Sequence, residues 1–299
     1  MSEGIPAVLV EAFTSVPCQG NGAAVVQLDQ PVSDAWMQGL ARSLNQSETA
    51  FLLPCEGGWA LRWFTPSCEV PLCGHATLAA LLALDHWQRL SVETRTTFFT
   101  RSGPLQVALV QGMAQIHLPS GTLVQAVAPA YLQTLLQQQL QSAPLGYWRS
   151  ALGYSVALLD PAAPLAAMDS PSPQLQQPET AGLVLMQAIS DSSDRPTVAG
   201  QPADYQLRFF APGLGIDEDP VTGSAHALVA PFWQDRLQRE RVVGWQCSAR
   251  SGGMVCEVAP SGMIRLSGTG VLLWCGSLQR QPDSCPDAAE RWQALWAAG

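Results

Sequence analysis

Residues 61–84 read LRWFTPSCEVPLCGHATLAALLAL, and residues 207–233 read LRFFAPGLGIDEDPVTGSAHALVAPFW. Each stretch opens with an apolar, aromatic run that suits a strand. Each then passes through Pro and Gly into an Ala- and Leu-rich helix. Pro71 aligns with Pro220, Gly74 with Gly223 and Ala76 with Ala225, all at a shift of 149 residues. Further on, Arg101-Ser102-Gly103 meets Arg250-Ser251-Gly252 at the same shift. The repeat predicts two related half-molecules, with two similar glycine-containing helix N-termini facing each other across one cleft.

A chain of 299 residues can hold two domains, each with its own core. The halves are expected at 1–124 and 125–299, with a C-terminal helix at 286–299 packing back on the first. The formal charge of −9 argues against nucleic acid and anionic membrane as partners, because both attract clustered cations. All 15 cations are Arg. The lack of Lys excludes a Schiff-base lysine, a pyridoxal-phosphate anchor and a Walker-A loop. No apolar run is long enough to predict a transmembrane helix, and the N-terminus lacks the basic region of a signal peptide. Eight cysteines are scattered with no CxxC pair, which reads as free thiols in a reducing compartment. Cys68, Cys73 and His75 are close in sequence, but loop spacing alone does not define a zinc site, and no metal is expected.

Strands are predicted at 7–13, 23–28, 49–53, 59–65, 98–100, 105–110 and 114–118 in the first half. The second half has them at 154–159, 183–189, 205–210, 254–258, 263–266 and 271–276. Helices are predicted at 33–44, capped by Ser33 or Asp34, from Cys73 to about 87, at 129–141 and from Gly223 to about 238. Another at 286–298 carries Trp292 and Trp296 at i, i+4, which reads as a pair packing onto the body. Residues 190–204 read as a loop.

A helix N-terminus presents unpaired backbone N–H groups and partial positive charge, and a Gly there lets a ligand approach the backbone. The ends at Gly74-His75 and Gly223-Ser224 therefore make a natural site for a small carboxylate. His75, Asp219 and Glu48 are the groups nearby that could move protons. A carboxylate in a dry cleft can serve as both acid and base. Glu48 taken alone also reads as a surface residue at a strand entrance. Asp217 and Glu218 read as a solvated turn. His226, the match of Thr77, is a further candidate for substrate contact, and His86 and His117 read as structural or surface residues. With no Lys and no nucleotide motif, the pattern points to proton transfer without a cofactor.

At these residues the sequence resembles the phenazine-biosynthesis (PhzF-like) isomerases, within the diaminopimelate epimerase-like fold. The resemblance is carried by EAFTSVPCQGNGAAVV at 11–26, NQSETAFLLP at 45–54, RWFTPSCEVPLCGHATLAA at 62–80 and RFFAPGLGIDEDPVTGSAHALVAPFW at 208–233. It implies two similar α/β domains, each a mixed, barrel-like sheet around a central helix, with the active site between them. It also implies a cytoplasmic homodimer acting on a small carboxylate-bearing substrate. Carried over by motif, Glu48 matches the catalytic acid/base, His75 and Asp219 match further catalytic residues, and Ser224 with Gly74 and Gly223 would hold the substrate carboxylate. The first motif departs from the family pattern, with GNG at 20–22 in place of GNP and Glu11 in place of Asp.

Two alternatives stand beside the acid/base isomerase. One is a racemase on the same fold that uses the Cys73 thiol. The other is a non-catalytic protein that binds a small molecule.

Overall fold

The computed structural model describes residues 4–90, 95–171, 175, 181–190, 194–259, 261–279 and 286–297. The chain divides into two compact units, Met1–His117 with Ser267–Gly299, and Leu118–Leu266. The first unit begins with β1 (Ile5–Ala12), β2 (Asn21–Gln27), α1 (Asp34–Leu44), β3 (Glu48–Cys55) and β4 (Gly58–Phe64). It continues through β5 (Glu69–Val70), α2 (Gly74–His86), β6 (Arg95–Thr100), β7 (Gly103–Val110) and β8 (Met113–Leu118). Then follow β9 (Leu123–Gln125), α3 (Ala130–Leu140), β10 (Gly146–Ser150), β11 (Tyr154–Leu158), β12 (Gly182–Ala188), and a small hairpin of β13 (Thr197–Val198) and β14 (Gln201–Pro202). The repeat segment supplies β15 (Tyr205–Ala211), β16 (Ile216–Asp219) and α4 (Gly223–Leu237). The chain ends with β17 (Arg241–Gln246), β18 (Gly252–Val258), β19 (Ile264–Gly268), β20 (Gly270–Leu278) and α5 (Pro286–Gln293).

The repeat seen in the sequence is a repeat of strand pairing. In the first unit β1–β2 is antiparallel, β2–β3 parallel, β3–β4 antiparallel, β4–β6 parallel and β6–β7 antiparallel. In the second, β10–β11, β11–β12, β12–β15, β15–β17 and β17–β18 follow the same order of senses. Short β5 pairs with the end of β4, and β16 with the end of β15. The flanking strand is repeated too: β20 runs antiparallel to β1, as β9 does to β10.

Each unit is built around one helix. Along α2, residues 75–81, 83 and 84 are buried, so the helix has no polar face and belongs inside the sheet. It touches β1, β2, β3, β7 and β20, and its alanines let those strands come close. The counterpart α4 buries residues 225–230 and packs on β17 and β18. A second layer covers the first unit from outside. There Met37 and Ala41 of α1 and Trp292 of α5 pack with Phe51 and Phe64. Ser33 caps α1 by accepting the Trp36 N–H at 3.3 Å, and Asn45 ends it in the left-handed region. Trp292 donates its indole N–H to the Val32 carbonyl at 3.2 Å, and Trp296 packs beside it, so the i, i+4 pair does lie on the body.

Two expectations change. The segment 190–204 contains the β13–β14 hairpin, although residues 191–193 lie outside the described residues. β17 was not expected at all, because Gly244 interrupts its apolar pattern. The Gly has a packing cause: a Cβ there would lie 2.4 Å from His226 Nδ1 and 2.5 Å from the Tyr205 hydroxyl. β17 thus passes closely over side chains that fill the space a larger residue would need.

Candidate active site

The chemistry of the first unit gathers at the start of α2. The N-cap is Cys73, in an extended conformation, and no side chain caps the helix. The Ala76 N–H in its first turn acts on the Cys73 sulfur, and a helix N-terminus of this kind favours an anionic ligand. Gly74 and Gly223 are the first helical residues of α2 and α4 and do not adopt left-handed φ, so neither is there to make a tight turn.

Glu48 opens β3, opposite Ala23 in the neighbouring parallel strand, and is largely buried. Its Oε2 lies 3.0 Å from Nε2 of His75, the second residue of α2. Both atoms are shut from solvent, and neither is aligned for a regular hydrogen bond. A carboxylate oxygen has more than one lone pair, so Glu48 keeps accepting capacity for another proton. On the other side of the ring, His75 Nδ1 faces Asn21 Nδ2 at 3.2 Å and the Cys73 Sγ at 3.5 Å. Asn21 Oδ1 accepts from the Ser47 hydroxyl at 3.1 Å, which directs the amide nitrogen toward the imidazole.

Burial pushes the His75 pKa down, but Cys73 and Glu48 at its two nitrogens outweigh this and hold it well above the ordinary value. Burial pushes the Cys73 thiol up to about 11, and the negative charge of Glu48 works in the same direction. The thiol is therefore protonated at neutral pH. Glu48, Cys73 and His75 bring candidate ligand atoms within 4.8 Å of one another. Thiol and carboxylate nevertheless bracket the ring from opposite nitrogens, whereas a chelate needs them to converge on one.

In the second unit, Asp219 ends β16, and the Thr222 hydroxyl donates to its Oδ2 at 2.6 Å. Thr222 is the N-cap of α4, yet its side chain makes no cap hydrogen bond. A good capping residue has been turned toward Asp219, and the α4 N-terminus is left without a side-chain cap. Gln246, fully buried at the end of β17, fastens this turn. Its Oε1 accepts the Thr222 N–H at 2.8 Å, and its Nε2 donates to the Asp219 carbonyl. Ser224 Oγ meets the Tyr154 hydroxyl at 3.3 Å. Burial raises the Tyr154 pKa against the lowering by Ser224, with Asp219 adding to the rise.

Asn21 and Tyr154 were not singled out as site residues. They begin β2 and β11, the matching strands of the two units. Each touches the second residue of the central helix, His75 or Ser224, and these two are themselves paired by the 149-residue shift. The 149-residue shift does not pair Asn21 with Tyr154, since it carries Asn21 to Ser170, and Asn21 sits in a Gly-Asn-Gly tripeptide that reads as a turn.

Both turns into the central helices are held by the same clamp. Arg62 grips Glu69 through two parallel bonds of 2.8 Å, and its third nitrogen donates to Asp34, also at 2.8 Å. Arg208 grips Glu218 at 2.7 and 2.6 Å and donates to the carbonyls of Leu165 and Met168. Each guanidinium also sits over the aromatic ring two residues on, Phe64 or Phe210. The clamp survives although Arg and Glu are seven residues apart in the first unit and ten in the second. Glu218 is thus not part of a solvated turn, as its place in a run of three acids suggests; of that run, Asp217 is the exposed residue. A cavity of about 580 Å³ lies over the Arg62 clamp, lined also by Arg101 and Arg291. Those two arginines are paired with Glu69 and Asp34, and the cavity lies away from the His75 cluster.

His226 does not reach a ligand-facing surface. It is fully buried, its Nδ1 2.9 Å from the Tyr205 hydroxyl, and Tyr205 stacks on Trp233. Burial drives its pKa down to about 3. Because the folded state holds it neutral, its contribution is present above the unfolded pKa near 6.5 and is lost as pH falls toward 3. Urea unfolding between pH 7 and pH 4 should show a pH slope steeper in the wild type than in His226→Gln, by at most about 1.4 kcal/mol per unit. Equal slopes would contradict the assignment. His86 is exposed, and Glu179 and Thr180, which echo Glu48-Thr49, lie outside the described residues.

The profile of the family described as phenazine biosynthesis-like protein (PhzC-PhzF) matches residues 10–276. An uncharacterized isomerase of Halalkalibacterium halodurans is 36% identical over 248 residues, covering 83% of this chain and 88% of that protein. An uncharacterized isomerase of Pseudomonas aeruginosa is 35% identical over 270 residues, covering 90% and 97%. Among solved structures, a PhzF-family phenazine biosynthesis protein of Enterococcus faecalis superposes with a TM-score of 0.82 at 29% identity, covering 93% of this chain and all of that one. The profile match takes in both repeat segments and the Glu48, His75, Asp219 and Ser224 motifs, and the chain belongs to the phenazine biosynthesis-like (PhzC-PhzF) family.

Proposed function

We propose that this chain is an isomerase that moves a proton between carbon atoms of a small carboxylate-bearing substrate, with Glu48 as the acid/base and no cofactor. The observation that carries this reading is the Glu48–His75 contact of 3.0 Å in a solvent-poor wall beside the uncapped start of α2. The names of the two bacterial relatives as isomerases agree with it. Glu48 takes the proton from carbon into the lone-pair capacity it retains and returns it at another carbon. His75, 3.0 Å from Glu48, keeps the carboxylate oriented. Asp219, fixed by Thr222, is assigned to orient polar groups of the substrate. Ser224 and the first-turn amides at Gly74 and Gly223 are assigned to its carboxylate.

The test is exchange of carbon-bound hydrogen in D₂O, followed by NMR, across a panel of small cyclic and amino carboxylates that includes dihydro-hydroxyanthranilate. Exchange with at least one of them is expected. A protein that binds compounds of the panel but exchanges none of them would instead be a non-catalytic binder.

A second reading has one observation in its favour, the 3.5 Å contact between Cys73 Sγ and His75 Nδ1. Cys, His and Glu stand in the order of a nucleophilic triad. A thiol raised to about 11 is a poor base but can donate a proton. In this reading Glu48 removes the proton on one face and Cys73 supplies one on the other, giving epimerisation. Cys73→Ser then abolishes turnover. Under the single-base reading that variant keeps exchange within about tenfold of wild type, the small cost expected of a neighbour that does not itself carry the proton.

A further inference from the structure

Asp219 and the start of α4, both assigned to the substrate, are held by a residue from another element. Gln246 is the last residue of β17 and is fully buried. Its amide meets two backbone groups of the turn between β16 and α4. Oε1 accepts the Thr222 N–H at 2.8 Å, and Nε2 donates to the Asp219 carbonyl. A backbone N–H can only donate and a carbonyl can only accept, so these two contacts fix which way the amide faces. Nε2 also lies 3.4 Å from Thr222 Oγ1 and 3.5 Å from Ser248 Oγ.

In a capping box the N-cap Thr hydroxyl accepts an N–H of the first turn, and a Glu or Gln three residues on reaches back to the N-cap N–H. Thr222 is the N-cap of α4, and three residues on is Ala225, which has no polar group to reach back with. Gln246 performs that half of the box from β17. The other half is not made, because the Thr222 hydroxyl donates to Asp219 Oδ2 at 2.6 Å. The Gln246 amide hydrogen at Thr222 Oγ1 occupies an accepting side of that hydroxyl and leaves its proton for the carboxylate. The chain of donors therefore runs one way, from Gln246 through Thr222 to Asp219.

The first unit treats its turn differently. Thr100 ends β6 as Gln246 ends β17, but its hydroxyl stays within its own hairpin, donating to the Gly103 carbonyl at 2.7 Å. Ser102 of that hairpin donates to the Pro71 carbonyl at 2.7 Å. The 149-residue shift carries Asp219 to Val70, which has no side-chain chemistry to orient. The two-point grip of an amide thus accompanies the turn that carries a carboxylate.

We propose that Gln246 is a positioning residue for the isomerase reaction. It keeps the Thr222 hydroxyl turned away from the α4 terminus and toward Asp219, which orients that carboxylate and leaves the first α4 amides to the substrate. The role rests on the proposed assignment of Asp219 and α4 to the substrate. Without the Gln246 amide, the Thr222 hydroxyl returns to cap α4, and Asp219 loses its orienting donor in the same movement.

Two measurements on the full chain test this. The first needs no substrate and is NMR hydrogen exchange of the backbone amides. In Gln246→Met the Thr222 amide should exchange about tenfold faster than in the wild type, the worth of one hydrogen bond. The Ser224 or Ala225 amide should slow as the hydroxyl caps it. The second is a double-mutant cycle with Thr222→Val, read as deuterium exchange into a carboxylate of the panel. Each single variant should lower kcat/KM by about tenfold to a hundredfold. The double variant should lose no more than Thr222→Val alone, within about twofold, because both act through one hydroxyl. A glutamine that only stabilises the fold would give losses that multiply. Multiplying losses would overturn the proposal, and so would a Gln246→Met variant with unchanged amides at 222, 224 and 225. Should Gln246→Met not fold, Gln246→Glu keeps an acceptor for the Thr222 N–H and lacks the hydrogen at Thr222 Oγ1. It should then show the kinetic loss with the Thr222 amide still protected, and wild-type kinetics in it would count against the role. A wild type that exchanges no compound defeats the isomerase reading, and the amide measurement then decides alone whether Gln246 governs the cap.

Discussion

Glu48→Gln is expected to lower hydrogen exchange at substrate carbon by roughly two to four orders of magnitude, the usual worth of a positioned general acid/base. The amide keeps the size of the carboxylate and can still meet His75, so the fold has no reason to change. It has no basicity with which to take a proton from carbon. Ligand affinity should therefore hold within a few-fold while turnover collapses, the split that marks a group acting in the chemical step. A second readout follows from the charge. Glu48 and Cys73 hold His75 above its ordinary pKa, and at neutral pH the thiol is uncharged. Removing the Glu48 charge takes away one of the two influences that oppose burial, so the His75 imidazole should titrate at lower pH, measurable by NMR. A variant with near wild-type exchange would remove Glu48 from the chemistry.

Arg208→Met is expected to cost about 3–5 kcal/mol of stability, the range for breaking a buried ion pair from one side. Arg208 is 5% exposed. Its loss leaves the Glu218 carboxylate without either of its parallel bonds and the carbonyls of Leu165 and Met168 without their donor. Against a typical total of about 5–15 kcal/mol, such a loss is severe. The cost should fall substantially when Glu218 is also made apolar, as in Arg208→Met with Glu218→Leu, because the stranded charge is then gone. Urea denaturation of the two variants decides it. Equal destabilisation would mean that the arginine acts through its carbonyl bonds and its ring contact with Phe210 rather than through Glu218.

The repeat was legible because it is written in Pro, Gly and Ala, residues whose backbone demands survive divergence. Pro71/Pro220 and Gly74/Gly223 fixed the strand–turn–helix unit, and the family resemblance placed each helix inside a sheet. Glu48 and His75 were both named as proton-moving candidates, but their direct contact was not, because spacing alone does not bring a strand entrance and a helix start together. Other features depended on contacts that no local pattern encodes. Glu218 looks solvated beside Asp217 and Asp219, and only its partner ten residues earlier reveals the clamp. β17 was hidden by Gly244, whose smallness answers to Tyr205 and His226 on distant elements. His226 looked available because it follows the helix-start motif, yet it lies on a helix that is buried on every side. The short β5, β9, β10 and β16 have too few residues to show a period of two.

The pairing of β1 with β20 also governs the order in which this chain can fold as it is made. Ala12 pairs with Gly270, so the first unit lacks its flanking strand until Gly270 has been synthesised. The unit formed by Leu118–Leu266 is contiguous and has all its strands earlier. Vectorial synthesis usually favours the N-terminal domain. Here it gives the lead to the second unit, and β1 waits for a partner from the far end of the chain. Such distant closure is slow, since the loop entropy is lost before the contact forms. During that wait the apolar strands around α2 are the part of the nascent chain most in need of a chaperone.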